Sequence, residues 1–151
     1  MATRDVLLLT RLERFSAVGF LFLRALTGAF LIYGVMDNVI SAERMDEFSA
    51  FLAANGFPAP NLMAPLSVYV QLLCGIALVL GFLTRWTGIV VAVHFVVAVI
   101  MVHWPQDFRG WWPAIVLVGI GFQFALTGAG RLSVDALIAR KNDAAAATST
   151  S

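Results

Sequence analysis

Residues Val90–Ile100 read VVAVHFVVAVI, one histidine among aliphatic side chains and a single phenylalanine. Valine-rich composition of this kind suits a buried β-strand. Length overrules that reading. The apolar run extends from Trp86 to Trp104, and as a helix it rises about 28 Å, close to the thickness of a bilayer's hydrocarbon core. In lipid a helix satisfies every backbone N–H and C=O within itself, so valine's modest helix propensity carries little weight.

Three further blocks have the same character: Phe15–Met36, Ala64–Leu83 and Trp111–Gly128. The expected fold class is therefore all-α, a membrane four-helix bundle with a short interfacial helix in the first outer loop. Composition agrees. The chain has 151 residues, 60% hydrophobic and only 13% charged, with a mean hydropathy of +0.87, where a soluble domain is about half apolar. A net charge of +1 gives no basic field for nucleic acid, so the lipid bilayer is the expected partner. Cys74 is the single cysteine, which excludes an internal disulfide and a CxxC redox pair. No internal repeat of fixed period stands out. Residues 1–14 read as an N-terminal arm, 15–130 as the membrane domain and 131–151 as a tail whose end, DAAAATSTS, reads as disordered.

The connections carry information. Thr84-Arg85 makes a tight turn between the second and third spans, and Pro105–Gly110 joins the third to the fourth. Within the long first loop, SAERMDEFSAFLAANGFP looks helical. Ser41 can cap it and Glu43 favours its first turn. Met45, Phe48, Phe51 and Leu52 share one apolar face, and Asn55-Gly56 then Pro58 stop it. Such a helix either lies on the membrane surface or packs over the mouth of the bundle. Lys and Arg counts set the orientation. Arg4, Arg11, Arg14, Arg85, Arg131, Arg140 and Lys141 fall on one side, and only Arg44 and Arg109 on the other. Both termini should be cytoplasmic, in a bacterial inner membrane. The first span reads as a retained anchor, since no cleavage site follows a short apolar core.

Few polar side chains enter the spans: Arg24, Gln71, His94 and Gln123. Buried ionisable groups are costly in lipid and should face the bundle. Helical spacing puts Arg24 with Thr27, Gly28 and Leu31, Gln71 with Cys74, Gly75 and Leu78, His94 with Thr87, Val91 and Ala98, and Gln123 with Gly119 and Thr127. Four mixed stripes of small and polar residues suggest an intramembrane polar cluster bonded across the helices. The cluster is either interhelical glue or a proton- or ligand-handling site, and Arg24 either turns inward or snorkels to the inner headgroups. Haem is not expected. The second histidine, His103, would stand about 13 Å from His94 and on the opposite face of one α-helix. No metal site and no catalytic motif is expected either.

The outer rim holds Tyr33, Asp37, Asn38, Tyr69, Gln71, His103, Trp104, Asp107 and Arg109. A quinone headgroup needs an apolar slot and donors to its two oxygens, and Tyr33, Asp37, Tyr69, Gln71, His103 and Trp104 could supply both. An ordinary interfacial belt is the plainer account.

Several stretches carry a family likeness: LRALTGAFLIYG in the first span, FLAANGFPAP before the second, VQLLCGIALVLGFLTRWTG across the second turn, MVHWPQDFRG after the third, and GAGRLSVDALI with Ser133 and Asp135 after the fourth. In these the chain resembles the DoxX family of small four-span bacterial membrane proteins. The resemblance implies an accessory or assembly subunit of a membrane redox or respiratory system, with other membrane redox subunits as partners, an oligomer among the options, and quinone the one cofactor to consider. A quinone-interacting oxidoreductase subunit and a small-solute carrier lined by Arg24 and His94 are the alternatives. Tyr33 stands where many members have histidine, Asp37 where lysine is frequent, and Gln71 where a glutamate is common, so a titrating group of the relatives is missing here.

Overall fold

The computed structural model describes residues 10–149. Much of the N-terminal arm, Arg4 included, and the last two residues lie outside that range. A 3-10 turn, Thr10–Phe15, leads into α1 (Ser16–Ile40). Then follow α2 (Ala42–Ala54), α3 (Pro60–Leu80), α4 (Thr84–Ala98) with a π-helical extension Val99–His103, α5 (Phe108–Thr127) and α6 (Val134–Ser149). No strand occurs among the described residues. Four of these segments are long and apolar enough to cross a membrane: 12–40, 60–80, 84–103 and 108–127. Their outward surfaces carry Phe22, Leu73, Val93 and Phe122, all well exposed, as lipid-facing positions should.

The bundle is two antiparallel hairpins, α1 with α3 and α4 with α5. In each, the helices cross glycine on glycine. A Cβ built on Gly28 would stand 2.5 Å from the Gly75 carbonyl oxygen, and one on Gly88 2.6 Å from that of Gly121. Only glycine allows backbones to approach so closely, and in lipid that approach supplies the packing that holds helices together. The two hairpins repeat one another. Each first helix carries Thr-Gly at the crossing, and the hydroxyls of Thr27 and Thr87 donate one turn back to the carbonyls of Leu23 (2.8 Å) and Leu83 (3.1 Å). Each second helix stops on a positive-φ glycine, Gly81 at 69° and Gly128 at 75°, a conformation that costs glycine little. A fixed period is hidden in the sequence because α2 is inserted in the first hairpin alone. Leu31, Cys74, Leu78, Val91 and Phe124 form the core where all four spanning helices meet.

The loop helix packs against the bundle. Ser41 Oγ accepts from the Arg44 amide (3.3 Å) as its cap, Leu52 is buried, and Ser49 Oγ bonds Asn61 Oδ1 on α3 at 2.7 Å. Asn55 closes the helix and Gly56 follows at φ 77°. In the tail α6 runs through Ser149, and its run of four alanines, the strongest helix former, favours a helix there.

Candidate functional site

The expected polar cluster does not assemble. Among the described residues, no hydrogen bond joins Arg24, Gln71, His94 and Gln123 to one another. The reason lies in the hairpins: glycine faces glycine at each crossing, so Arg24 and Gln123 fall away from Gln71 and His94.

Arg24 is 1% exposed, turned inward and not snorkelled. Its Nη1 donates to the Ala129 carbonyl and its Nη2 to that of Leu132 at 2.8 Å. The segment after α5 thus folds back under α1 to receive the guanidinium, while Arg24 Nε finds no partner among the described residues. Asp135 completes the clasp. Its carboxylate accepts from the amides of Leu83 (2.7 Å) and Thr84 (2.9 Å), and its own amide donates to the Gly81 carbonyl (3.0 Å). Leu83, at φ 47°, offers no side-chain cap to α4, so a carboxylate from a distant helix performs that task.

Gln123 reverses its expected direction. The buried stripe of α5 is Ala114, Leu117, Gly121 and Phe124, whereas Gly119, Gln123 and Thr127 are exposed. Gly121 must sit inward to meet Gly88, and that fixes the helix rotation.

Gln71 and His94 do come together in one feature, a groove of about 580 Å³ between α3 and α4 on the side roofed by α2. Phe48, Phe51 and Leu52 of α2, with Phe57 beyond it, form the roof. Met63, Leu66 and Val70 line one wall, and Val90, Val93, Val97 and Ala98 the other. Polar groups are sparse: Ser67 and Gln71 on α3, His94 on α4 and His103 on the π segment. The His94 ring stands edge-on to Phe95 at 5.1 Å. Among the described residues, neither the His94 imidazole nor the Gln71 carboxamide makes a hydrogen bond within the chain. An apolar slot with a few polar groups free to orient a ligand is the usual form of a small-molecule site.

His103 was expected on the face opposite His94, yet both line this groove. The π segment Val99–His103 is the cause. Its i→i+5 turn advances fewer degrees per residue than an α-turn, so His103 is held back toward the groove; π segments of this kind recur at functional sites. His103 Nδ1 lies 3.0 Å from Gln106 Oε1, which fixes the ring at the mouth.

The rest of the expected rim is dispersed. Tyr33 is 85% exposed and Trp104 76%. Tyr69 also faces outward, and Asp37 Oδ1 only accepts from the Asn38 amide (2.9 Å). None of these four lines the groove, and of the six rim residues only Gln71 and His103 do. Arg24 does not line it either, so this groove is not a path shared by Arg24 and His94. Ser67 and the capping role of Asp135 were missed. Ser67 falls one turn before Gln71 on α3, a spacing that could have revealed it. Among the described residues, no group of three or more His, Cys, Asp or Glu side chains is placed to hold a metal ion.

The family model for DoxX matches residues 19–104 of this chain, from the first span through the π segment, and so includes both groove walls and the roof. No curated protein and no solved structure matches it.

Proposed function

This chain belongs to the DoxX family of multi-pass membrane proteins, and on that premise we propose that it holds a quinone-class lipid in the α2–α3–α4 groove and serves a membrane redox or respiratory system as an accessory or assembly subunit. The observation that carries the reading is the pairing of an apolar groove with two unengaged polar side chains, Gln71 and His94, on opposite walls. A quinone ring fits an aromatic and aliphatic slot of this kind, and its two oxygens take hydrogen bonds from an imidazole N–H and a carboxamide N–H. When bound, such a lipid supplies two-electron, two-proton chemistry. The chain's own residues orient the ring, exclude water from it and can move a proton at His94. Imidazole, carboxamide and hydroxyl groups do not carry electrons, and Cys74 is buried away from the groove. A partner subunit would therefore be the electron donor or acceptor, which favours an accessory role over catalysis by this chain alone.

The distribution of basic residues supports the membrane placement: Arg85, Arg131, Arg140 and Lys141 gather at the end that carries the termini, in keeping with both termini in the cytoplasm of a bacterial inner membrane and a groove that opens toward the outer leaflet. The test is a mild-detergent purification followed by lipid extraction and mass spectrometry. Quinone should be enriched over bulk membrane lipid in the wild type and depleted in His94→Leu and Gln71→Leu of unchanged helix content. Equal quinone in all three, at the bulk ratio, would refute the reading.

A further inference from the structure

Gln123 has no place in the groove or in the clasp. It stands on the exposed side of α5, one turn before the helix ends at Thr127. Exposed Phe122 and Leu126 flank it on the surface that meets lipid. The Thr127 hydroxyl donates to the Gln123 backbone carbonyl (2.8 Å), not to the side chain. Among the described residues, the Gln123 carboxamide makes no hydrogen bond, and a primary amide left unpaired on a lipid-facing surface is unfavourable. One turn deeper, Gly119 is exposed and a Cβ built on it would meet nothing within 4 Å, so a second helix has room to approach.

We propose that this face is the contact between two copies of the chain, with α5 beside α5 and Gln123 bonded to Gln123 of the partner subunit. Two features select a second copy over an unrelated helix. All copies insert in the same orientation, so a two-fold axis along the membrane normal brings Gln123 opposite its own counterpart at equal depth. A carboxamide is also its own complement: each N–H₂ donates to the other's oxygen, and both amides are satisfied by two reciprocal bonds. The groove lies on α2, α3 and α4, so pairing through α5 leaves it open, and this inference stands whether or not a quinone binds there.

The experiment measures the dimer dissociation constant of the full chain in lipid nanodiscs or mild detergent, by analytical ultracentrifugation or in-membrane energy transfer. Gln123→Leu should raise it roughly tenfold, the effect of two interhelical amide bonds of the strength found in membranes. Gly119→Leu, which keeps the amide but blocks close approach, should raise it as well. Gln123→Cys, oxidised with copper phenanthroline in native membranes, should trap a covalent dimer, since Cys74 is buried. A wild type that stays monomeric in lipid would overturn the proposal, with Gln123 then simply reaching for the headgroups. So would a dimer indifferent to Gln123→Leu, or a foreign helix, rather than a second copy, lost on that substitution.

Discussion

Asp135 joins three parts of the chain that are far apart in sequence, and its removal tests whether the clasp stabilises the bundle or merely rests on it. In Asp135→Ala the amides of Leu83 and Thr84 lose acceptors at 2.7 and 2.9 Å. Loss of an N-cap costs about 1 kcal/mol, with a range of roughly 0.5–2. Bonds to an ionised acceptor are the stronger kind, and this one also ties two helices together, so about 2 kcal/mol is expected. For a chain of this length that lowers the melting temperature by about 4–8 °C. The assay is thermal unfolding in mild detergent followed by circular dichroism, with hydrogen exchange read at Leu83 and Thr84. Those two amides should exchange faster in the variant, and trypsin should release the tail sooner at Arg131. Asp135→Asn keeps one acceptor oxygen and should fall about midway. Melting together with the wild type, and unchanged exchange at Thr84, would refute the argument.

Other substitutions follow from the same contacts. Arg24→Met leaves the carbonyls of Ala129 and Leu132 without their donors, and should cost about 3 kcal/mol in detergent-based chemical unfolding, with Arg24→Lys intermediate because an ammonium lacks the planar fork. Gly88→Val drives a side chain into the backbone of α5, where Gly121 O and Ala125 N stand 2.6 Å from the new Cβ; helices cannot give way as a side chain can, and folded yield should collapse in detergent size-exclusion profiles. Gly19→Ala, with nothing within 4 Å, should instead stabilise α1 by up to about 1 kcal/mol in the same unfolding assay. Arg44→Ala breaks only the exposed pair with Glu47 at 2.8 Å, and its unfolding midpoint should shift by no more than about 0.5 kcal/mol.

The four spans were legible because hydrocarbon leaves the chain a single solution, and lengths of apolar sequence announce it directly. The helix at Ala42–Ala54 was legible too, since Ser41, Asn55 and Gly56 are local signals for a start and a stop. The stripes on α1 and α3 are legible for the same reason: Thr27-Gly28 and Cys74-Gly75 have the small-residue character of helix contacts, and they are buried. On α5 the rule chose the wrong face, because Gly119 and Gly121 are equally small and only the approach of Gly88 selects between them.

By itself, then, the sequence determined what is local or set by the solvent: four crossings, the start and stop of the loop helix, and the membership its motifs imply. The tertiary structure decided what depends on rotation and register. It turned Gln123 outward, drew Arg24 to the carbonyls beyond α5, and used one π turn to bring His103 to the same groove as His94. These are angular facts. A helix rotated by a single residue moves about 100°, and composition has no term that senses such a rotation; only the backbone contact between two particular glycines does.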